Sequence, residues 1–252
     1  MTRVVASIEA RMASSRLPGK VLAPIAGTPT LTRLIERLRR ATTLDAMVLA
    51  TTTSAADDAL ETWAADHGVA CFRGSEDDVL GRVVGAHQAM GSDVIVELTG
   101  DCPLVDPALV DRAVRAFLDQ PWDVVTTTRG SGYPQGTEVQ VFRRTALEDV
   151  AARVHDPAVR EHVSLHFYEH PERYRIFDVT TTDDASVFRL QLDYPDDLRF
   201  LDALCARLDH QSDAGIETIV GLLRADPALA AINAHCQERP ARSRRTNSSF
   251  GP

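Results

Sequence analysis

The sequence predicts an α/β fold, a mostly parallel open sheet with helices on both faces. Three observations predict it. Short apolar runs alternate with stretches of helical period, which is the order of βα units. Several helical stretches open on a start signal, such as Asp106-Pro107, where an acid can cap and a proline can occupy the first helical position. The 252 residues suit one large domain or two small ones and are enough to bury a core.

Taken in order, strands are expected at 4–8, 46–50, 69–72, 94–98, 124–127, 139–142, 174–179 and 188–192, each a short apolar run bounded by polar or turn residues. Helices are expected at 31–41, 56–67, 79–90, 107–120, 159–170, 195–208 and 214–225. Asp77 is placed to cap the helix near Val79, and Pro195 to start the helix after Asp193. Segment 133–179 departs from strict alternation and reads as an insertion with a strand pair and helices, a lid or a dimer arm. A single domain is expected over 1–238. The tail 239–252 is polar, contains Pro and Ser, lacks periodicity and is expected to be disordered.

Composition excludes several classes. No window approaches 18 uninterrupted apolar residues, so no membrane span is expected. The apolar run 4–8 is too short for a signal peptide, and a cytoplasmic protein is expected. Cys71, Cys102, Cys205 and Cys236 form no CxxC pair, so they read as reduced thiols rather than disulfides or zinc ligands. The net charge of -9 argues against a chain that coats nucleic acid, so a basic loop in this background points to a local anion.

That loop is "EARMASSRLPGKVL", residues 9–22, which gathers Arg11, Arg16 and Lys20 after the first strand. Parallel sheets bind ligands beyond the carboxyl ends of their strands, and small residues let backbone N–H groups approach phosphate oxygens. It is neither a Walker A loop nor a GxGxxG fingerprint. A solvated basic loop is the competing reading. Two further stretches bear on it. In "ELTGDCPLVDP" an apolar strand ends in Gly100 and Asp101, and Asp101 reads either as a Mg²⁺ ligand or as a turn former. In "FRLQLDYPDDLRFL" another apolar run ends in Asp193, either a second metal carboxylate or a residue near a helix cap. Two strand-terminal aspartates beside a cationic loop are the set needed for metal-assisted attack on a nucleoside triphosphate.

Together these stretches resemble sugar-activating cytidylyltransferases. "ARMASSRLPGKVL" is similar to the signature ARxxSxRLPGKxL, most closely in the spore coat polysaccharide biosynthesis protein F type, which is related to Kdo and acylneuraminate cytidylyltransferases. "FRGSEDDVLGR", "LTGDCPLVDP", "REHVSLHFYEHPERYRI" and "LDYPDDLRFL" resemble later blocks in the same order, over about residues 3–205. The resemblance implies a nucleotide-diphospho-sugar transferase-like fold, transfer of CMP from CTP to an acceptor, release of pyrophosphate, and Mg²⁺ as cofactor. It implies triphosphate contacts from Arg11, Ser15, Arg16 and Lys20, nucleotide contacts from Arg73, Ser75 and Asp77, and Mg²⁺ on Asp101 and Asp193. Arg16, Lys20, Asp101 and Asp193 would carry catalysis.

The same resemblance puts Tyr133, Gln135, Glu138, Arg160, Glu161 and His162 on the acceptor side. There "YPQGTEVQVF" departs from the family at Gln140, where Glu is usual, and a Gln cannot supply a carboxylate. His162 could orient a hydroxyl, but with His166 and His170 at spacings of four it reads first as one helix face. CTP, a sugar, sugar acid, or phosphate- or phosphonate-bearing acceptor, and a second copy in a homodimer are the expected partners, without nucleic acid or membrane. Two other readings stay open: a nucleotide-sugar-dependent glycosyltransferase, for which the usual D-x-D tripeptide is missing, and a silent nucleotide-binding module, which would typically have lost Lys20, Asp101 or Asp193.

Overall fold

The computed structural model describes residues 2–208 and 214–236. Its apolar runs become strands that stack side by side. β1 (Val4–Glu9) is followed by the basic loop, a two-stranded ribbon of β2 (Pro24–Ile25) and β3 (Thr28–Pro29), and α1 (Thr30–Leu38). Then come β4 (Ala46–Thr52), α2 (Asp58–Asp66), β5 (Ala70–Gly74), α3 (Val79–Met90), β6 (Val94–Thr99) and α4 (Pro107–Asp119). β1 pairs in parallel with β4 and β6, and β4 with β5, so four carboxyl ends open on one edge of the sheet.

The period of two along β1 separates the faces. Val4, Ala6 and Ile8 pack with Leu31, Leu34 and Leu60 of α1 and α2, whereas Val5 packs with Ala86 of α3 on the other side. Helices on both faces leave these strands apolar on both sides, which is why their sequences read as near-continuous runs.

Segment 133–179 enters the sheet. β7 (Val124–Thr126) is joined by β8 (Gln140–Arg143), which lies between β6 and β7 and runs antiparallel to both. After α5 (Arg144–Arg153), α6 (Pro157–Glu161) and α7 (Leu165–Glu169), β9 (Ile176–Asp178) closes the order β5-β4-β1-β6-β8-β7-β9. The chain continues through α8 (Pro195–Arg207), α9 (Ile216–Ala225) and α10 (Pro227–Ala230).

Four expectations need correction. The run 188–192 is no strand of the sheet; it meets the rest only through an isolated bridge between Gln135 and Arg189. Its partner stretch holds Pro134, which lacks an N–H, and Gly136 at φ 90, so a ladder cannot propagate. The helix expected at 159–170 is two short helices broken at His162, whose backbone is extended, although Val159, Val163 and Phe167 keep their buried spacing of four. Asp78, not Asp77, caps α3, accepting from the Gly81 N–H at 2.8 Å, because a cap reaches the third helical N–H from the position just before the helix. The three histidines consequently do not share one continuous helix face, although His166 and His170 keep their rings 4.6 Å apart. Asp106 caps α4 as expected, accepting from the Ala108 N–H at 2.8 Å. All four cysteines are free thiols. Among the described residues no helix is long and apolar enough to cross a membrane. The tail 239–252 lies outside the described residues.

Candidate active site

The basic loop is shaped by backbone and by one buried acid. Gly19 adopts φ 71, a left-handed turn that lets its N–H donate to the Met12 carbonyl at 2.9 Å and closes the loop on itself. The Met12 N–H in turn donates to Asp57 at 2.7 Å, and Asp57, 1% exposed, also accepts from the Thr52 hydroxyl at the end of β4. The loop is therefore tied to the sheet edge where ligands of such folds sit.

From this anchored loop two cations reach the carboxylates that end β6 and precede α8. The Lys20 ammonium donates to Asp101 at 2.5 Å and to Asp193 at 2.7 Å. Arg16 pairs with the same Asp193 oxygen that Lys20 reaches, and its guanidinium lies 5.1 Å from the Tyr194 ring centroid. Residues 16, 20, 101 and 193, scattered along the chain, thus form one cluster. Burial alone would raise the Asp193 carboxyl, but Lys20 and Arg16 outweigh it and hold the group down at about 2. Burial alone would lower Lys20; Asp101 and Asp193 reverse that and keep it firmly charged.

Asp193 is braced from behind. Arg189 donates to its second oxygen at 3.1 Å and to Asp197 at 2.9 and 3.1 Å. Asp197 also accepts from the backbone N–H groups of Asp193 and Tyr194 at 2.9 and 3.0 Å. Asp101 is braced by Leu192, whose N–H donates to its carbonyl at 2.8 Å. Segment 188–193 is held against 135–136 by two backbone hydrogen bonds, Gln135 N–H to Phe188 and Leu190 N–H to Gln135. Any Cβ at position 136 would overlap the Gln191 nitrogen, so this approach requires Gly136. Asp193 and Asp101 meet as the sequence reading places them, but through Lys20 and the Leu192 N–H and not through a shared ladder.

Beside the cluster lies a polar row that runs from Glu9 through Glu97 and Gln140 to Tyr168. Glu9 at the end of β1 faces Glu97 of β6. Burial raises both carboxyls; Glu97 raises Glu9 further, whereas the hydrogen bonds from Glu9 and Gln140 pull Glu97 back, so the proton the pair shares rests on Glu9, held well above the ordinary carboxylate range. Gln140 donates to Glu97 at 2.5 Å, and the Tyr168 hydroxyl donates to Gln140 at 2.5 Å. Burial pushes that phenol up to about 12. Gln140 completes this row with an amide where the resembling family has a carboxylate.

The remaining predicted residues divide. Gln135 and Glu138 belong near the cluster: the Gln135 amide meets Gln191 at 3.4 Å, and Gln191 meets Asp101 at 3.4 Å, while Glu138 accepts from the Gly136 N–H at 2.7 Å. Arg11 is exposed and paired with Glu76 at 3.1 Å, and Ser15, Ser75 and Asp77 lie exposed on the two loops that flank the crevice. Arg73 is engaged elsewhere, donating to the Thr52 and Ser54 carbonyls and pairing with Asp58 and Glu61. Arg160 pairs with Asp78 and donates to the Ala151 carbonyl at 2.5 Å, linking α6 to the start of α3. Tyr133 accepts from Arg112 at 2.7 Å on α4, Glu161 is exposed, and His162 marks the break after α6.

A mostly parallel sheet of this order, with a cationic loop converging on one carboxylate just after β6 and another just before α8, defines a nucleotidyltransferase. The chain belongs to the cytidylyltransferase family, whose profile matches residues 5–222. It is 33% identical over 237 residues to the spore coat polysaccharide biosynthesis protein SpsF of Bacillus subtilis, covering 91% of this chain and 98% of that one. A cytidylyltransferase structure from Leptospira borgpetersenii superimposes with a TM-score of 0.88 at 28% identity, over 95% of this chain and all of the other. CMP:2-keto-3-deoxy-manno-octonic acid synthetase complexed with CTP shares the fold, with a TM-score of 0.61 at 20% identity over 82% of this chain and 99% of the other.

Proposed function

We propose that the enzyme transfers CMP from CTP to a sugar, sugar acid, or phosphate- or phosphonate-bearing acceptor and releases pyrophosphate with the help of Mg²⁺. The observation that carries this reading is the convergence of Asp101 and Asp193 on a single point: both carboxylates lie within 2.7 Å of the Lys20 nitrogen. Two hard oxygen donors that close together fit a divalent ion. Among the described residues no group of three or more His, Cys, Asp and Glu side chains could hold a metal, so the ion would take two carboxylates and complete its shell with phosphates and water. Asp101 and Asp193 would hold the Mg²⁺, which would supply Lewis-acid polarisation of the α-phosphate.

The chain's own groups do the rest. Lys20 and Arg16, in direct contact with the carboxylates, turn their charge toward the phosphates and stabilise the departing pyrophosphate. Arg11 and Ser15 extend that contact along the loop, and Ser75 and Asp77 face it from the loop before α3. The acceptor oxygen attacks the α-phosphorus in line while the bond to pyrophosphate breaks, and no covalent enzyme intermediate is needed. The acceptor enters over Gln135, Glu138 and the row ending in Gln140. An amide at 140 removes one carboxylate from that side and favours acceptors that the family's usual glutamate would repel.

A homodimer belongs to the same reading, supported by the one-sided pairing of β9 and the exposed Phe177 upon it, and sedimentation at micromolar concentration would show it. The test of the reaction is pyrophosphate release across four nucleoside triphosphates and a panel of sugar acids, sugar phosphates and phosphonates. Release with CTP and one acceptor class is expected. Release that needs no acceptor, or that prefers a purine nucleotide, would contradict the reading.

A further inference from the structure

We infer that Asn233 is a positioning residue for the active site, acting through Asp197 and Arg189 to fix the orientation and charge of Asp193. Asn233 follows α10 and lies beyond the stretch matched by the family profile. It is 2% exposed, and its amide donates to Asp197 at 2.9 Å and to the Arg189 carbonyl at 3.1 Å. One side chain therefore ties together the base and the backbone of the pair behind Asp193.

The bonds run in one direction. Asn233 fixes one oxygen of Asp197, and Asp197 collects both arms of Arg189 and two backbone N–H groups. Arg189 then donates its shared nitrogen to the second oxygen of Asp193. A carboxylate torsion is broad and two-fold, so holding that oxygen decides where the first one points. The first oxygen is the one that Lys20 and Arg16 reach.

Charge follows the same path. Arg189 is 5% exposed and divides one positive charge between two buried carboxylates. While Asp197 holds its share, Asp193 keeps negative charge for the crevice. If Asp197 loses its charge or swings away, Arg189 becomes the full counter-ion of Asp193 and competes with any cation that arrives from the front. Outer partners of this kind tune the ligand they hold. Asn233 keeps Asp197 in place, and the return of the chain after α10 is therefore part of the site's geometry.

This inference rests on the reading that Asp193 holds a divalent ion, and the experiment separates the two. Mn²⁺ affinity is measured in the presence of a non-hydrolysable CTP analogue on the full chain and on Asn233→Leu, Asp197→Asn and Asp193→Asn, well below each variant's melting temperature. Asn233→Leu removes the donors at nearly constant volume. Asp197→Asn keeps an acceptor for the backbone N–H groups while removing the charge, and serves if the leucine variant does not fold. Both are expected to weaken Mn²⁺ binding by about 10-fold to 100-fold, the range for lost outer partners of a metal ligand. kcat should fall while KM for CTP at saturating metal moves less than about threefold, since the triphosphate contacts remain.

A role confined to stability would lower the melting temperature and leave Mn²⁺ affinity as in the wild type. Unchanged affinity in folded Asn233→Leu or Asp197→Asn, with Asp193→Asn weakened, would overturn the positioning role alone. Unchanged affinity in Asp193→Asn would overturn the metal reading beneath it as well.

Discussion

Lys20 sits between two carboxylates that are also the proposed metal ligands, so its charge has two opposed effects. Facing a triphosphate, it stabilises negative charge on the leaving group. Without nucleotide, it competes with a divalent ion for the same oxygens, and with Arg16 it brings two positive charges to them. Lys20→Ala is therefore expected to reduce turnover by about 10²-fold or more. The same variant should bind Mn²⁺ more tightly than wild type when no nucleotide is present. Loss of both turnover and nucleotide-free metal affinity would show instead that the loop had collapsed. Glu9 offers a second test. Its folded-state carboxyl is raised, so its contribution to stability is fully present below the unfolded value, about 4.3, and is lost as pH rises through the folded one. Glu9→Gln should melt higher than wild type at pH 8, by a few degrees per kcal/mol recovered, and the advantage should shrink toward pH 4. A melting difference independent of pH would contradict the shared proton. Arg16, Lys20, Asp101 and Asp193 were legible in the sequence because each falls in a local stretch with a chemical rationale. Arg189 and Asn233 were not, because a buried ion network is made by tertiary contact between segments, and nothing nearby in the sequence marks it. Asp197 likewise carries no local mark of its fork with Arg189, which forms only when the segment folds back on α8.

The elements read from apolar runs survived where the run is buried on both faces, as for β1, β4 and β6. They failed where the backbone pairs little. The run 188–192 has strand composition and is fully apolar at Leu190 and Leu192, yet these side chains pack under α8 with Phe200 and Leu204 and not between strands. Conversely, α5 was missed because only Leu147 and Val150 are buried, too few to set a period in a polar stretch. Caps carry the elements' stability. Asp106 accepts from Ala108 at the start of α4 and, with its other oxygen, from the Ile216 N–H at 2.8 Å, joining two helix starts with one carboxylate. Asp106→Ala removes a cap and orphans a buried donor, together about 2–3 kcal/mol. That corresponds to a drop in Tm of about 4–12 °C for a domain of this size. Calorimetry should show this drop with metal affinity unchanged, since the clamp on Asp193 does not involve Asp106. A change smaller than about 2 °C would show that solvent replaces the lost acceptor.

At the scale of the molecule, alternating strands and helices predicted a parallel sheet, and β8 is the exception that the sequence flagged only as a break in the alternation. Its antiparallel insertion between β6 and β7 brings Gln140 opposite Glu97 and so builds the proposed acceptor side from a segment outside the alternating βα units. The site is consequently assembled from four regions: the loop after β1, the end of β6, the bridge between 135 and 189, and the start of α8. The claim that unites them is that Asp101 and Asp193 act as one divalent-ion site. The most direct test measures Mg²⁺-dependent pyrophosphate release and thermal melting for Asp101→Asn, Asp193→Asn and the double variant. Groups that act as a unit are non-additive. The account predicts that each single variant nearly abolishes turnover, that the double variant is little worse than either, and that all three still fold. Asp193→Asn that retains turnover, or two losses that multiply, would contradict a shared ion.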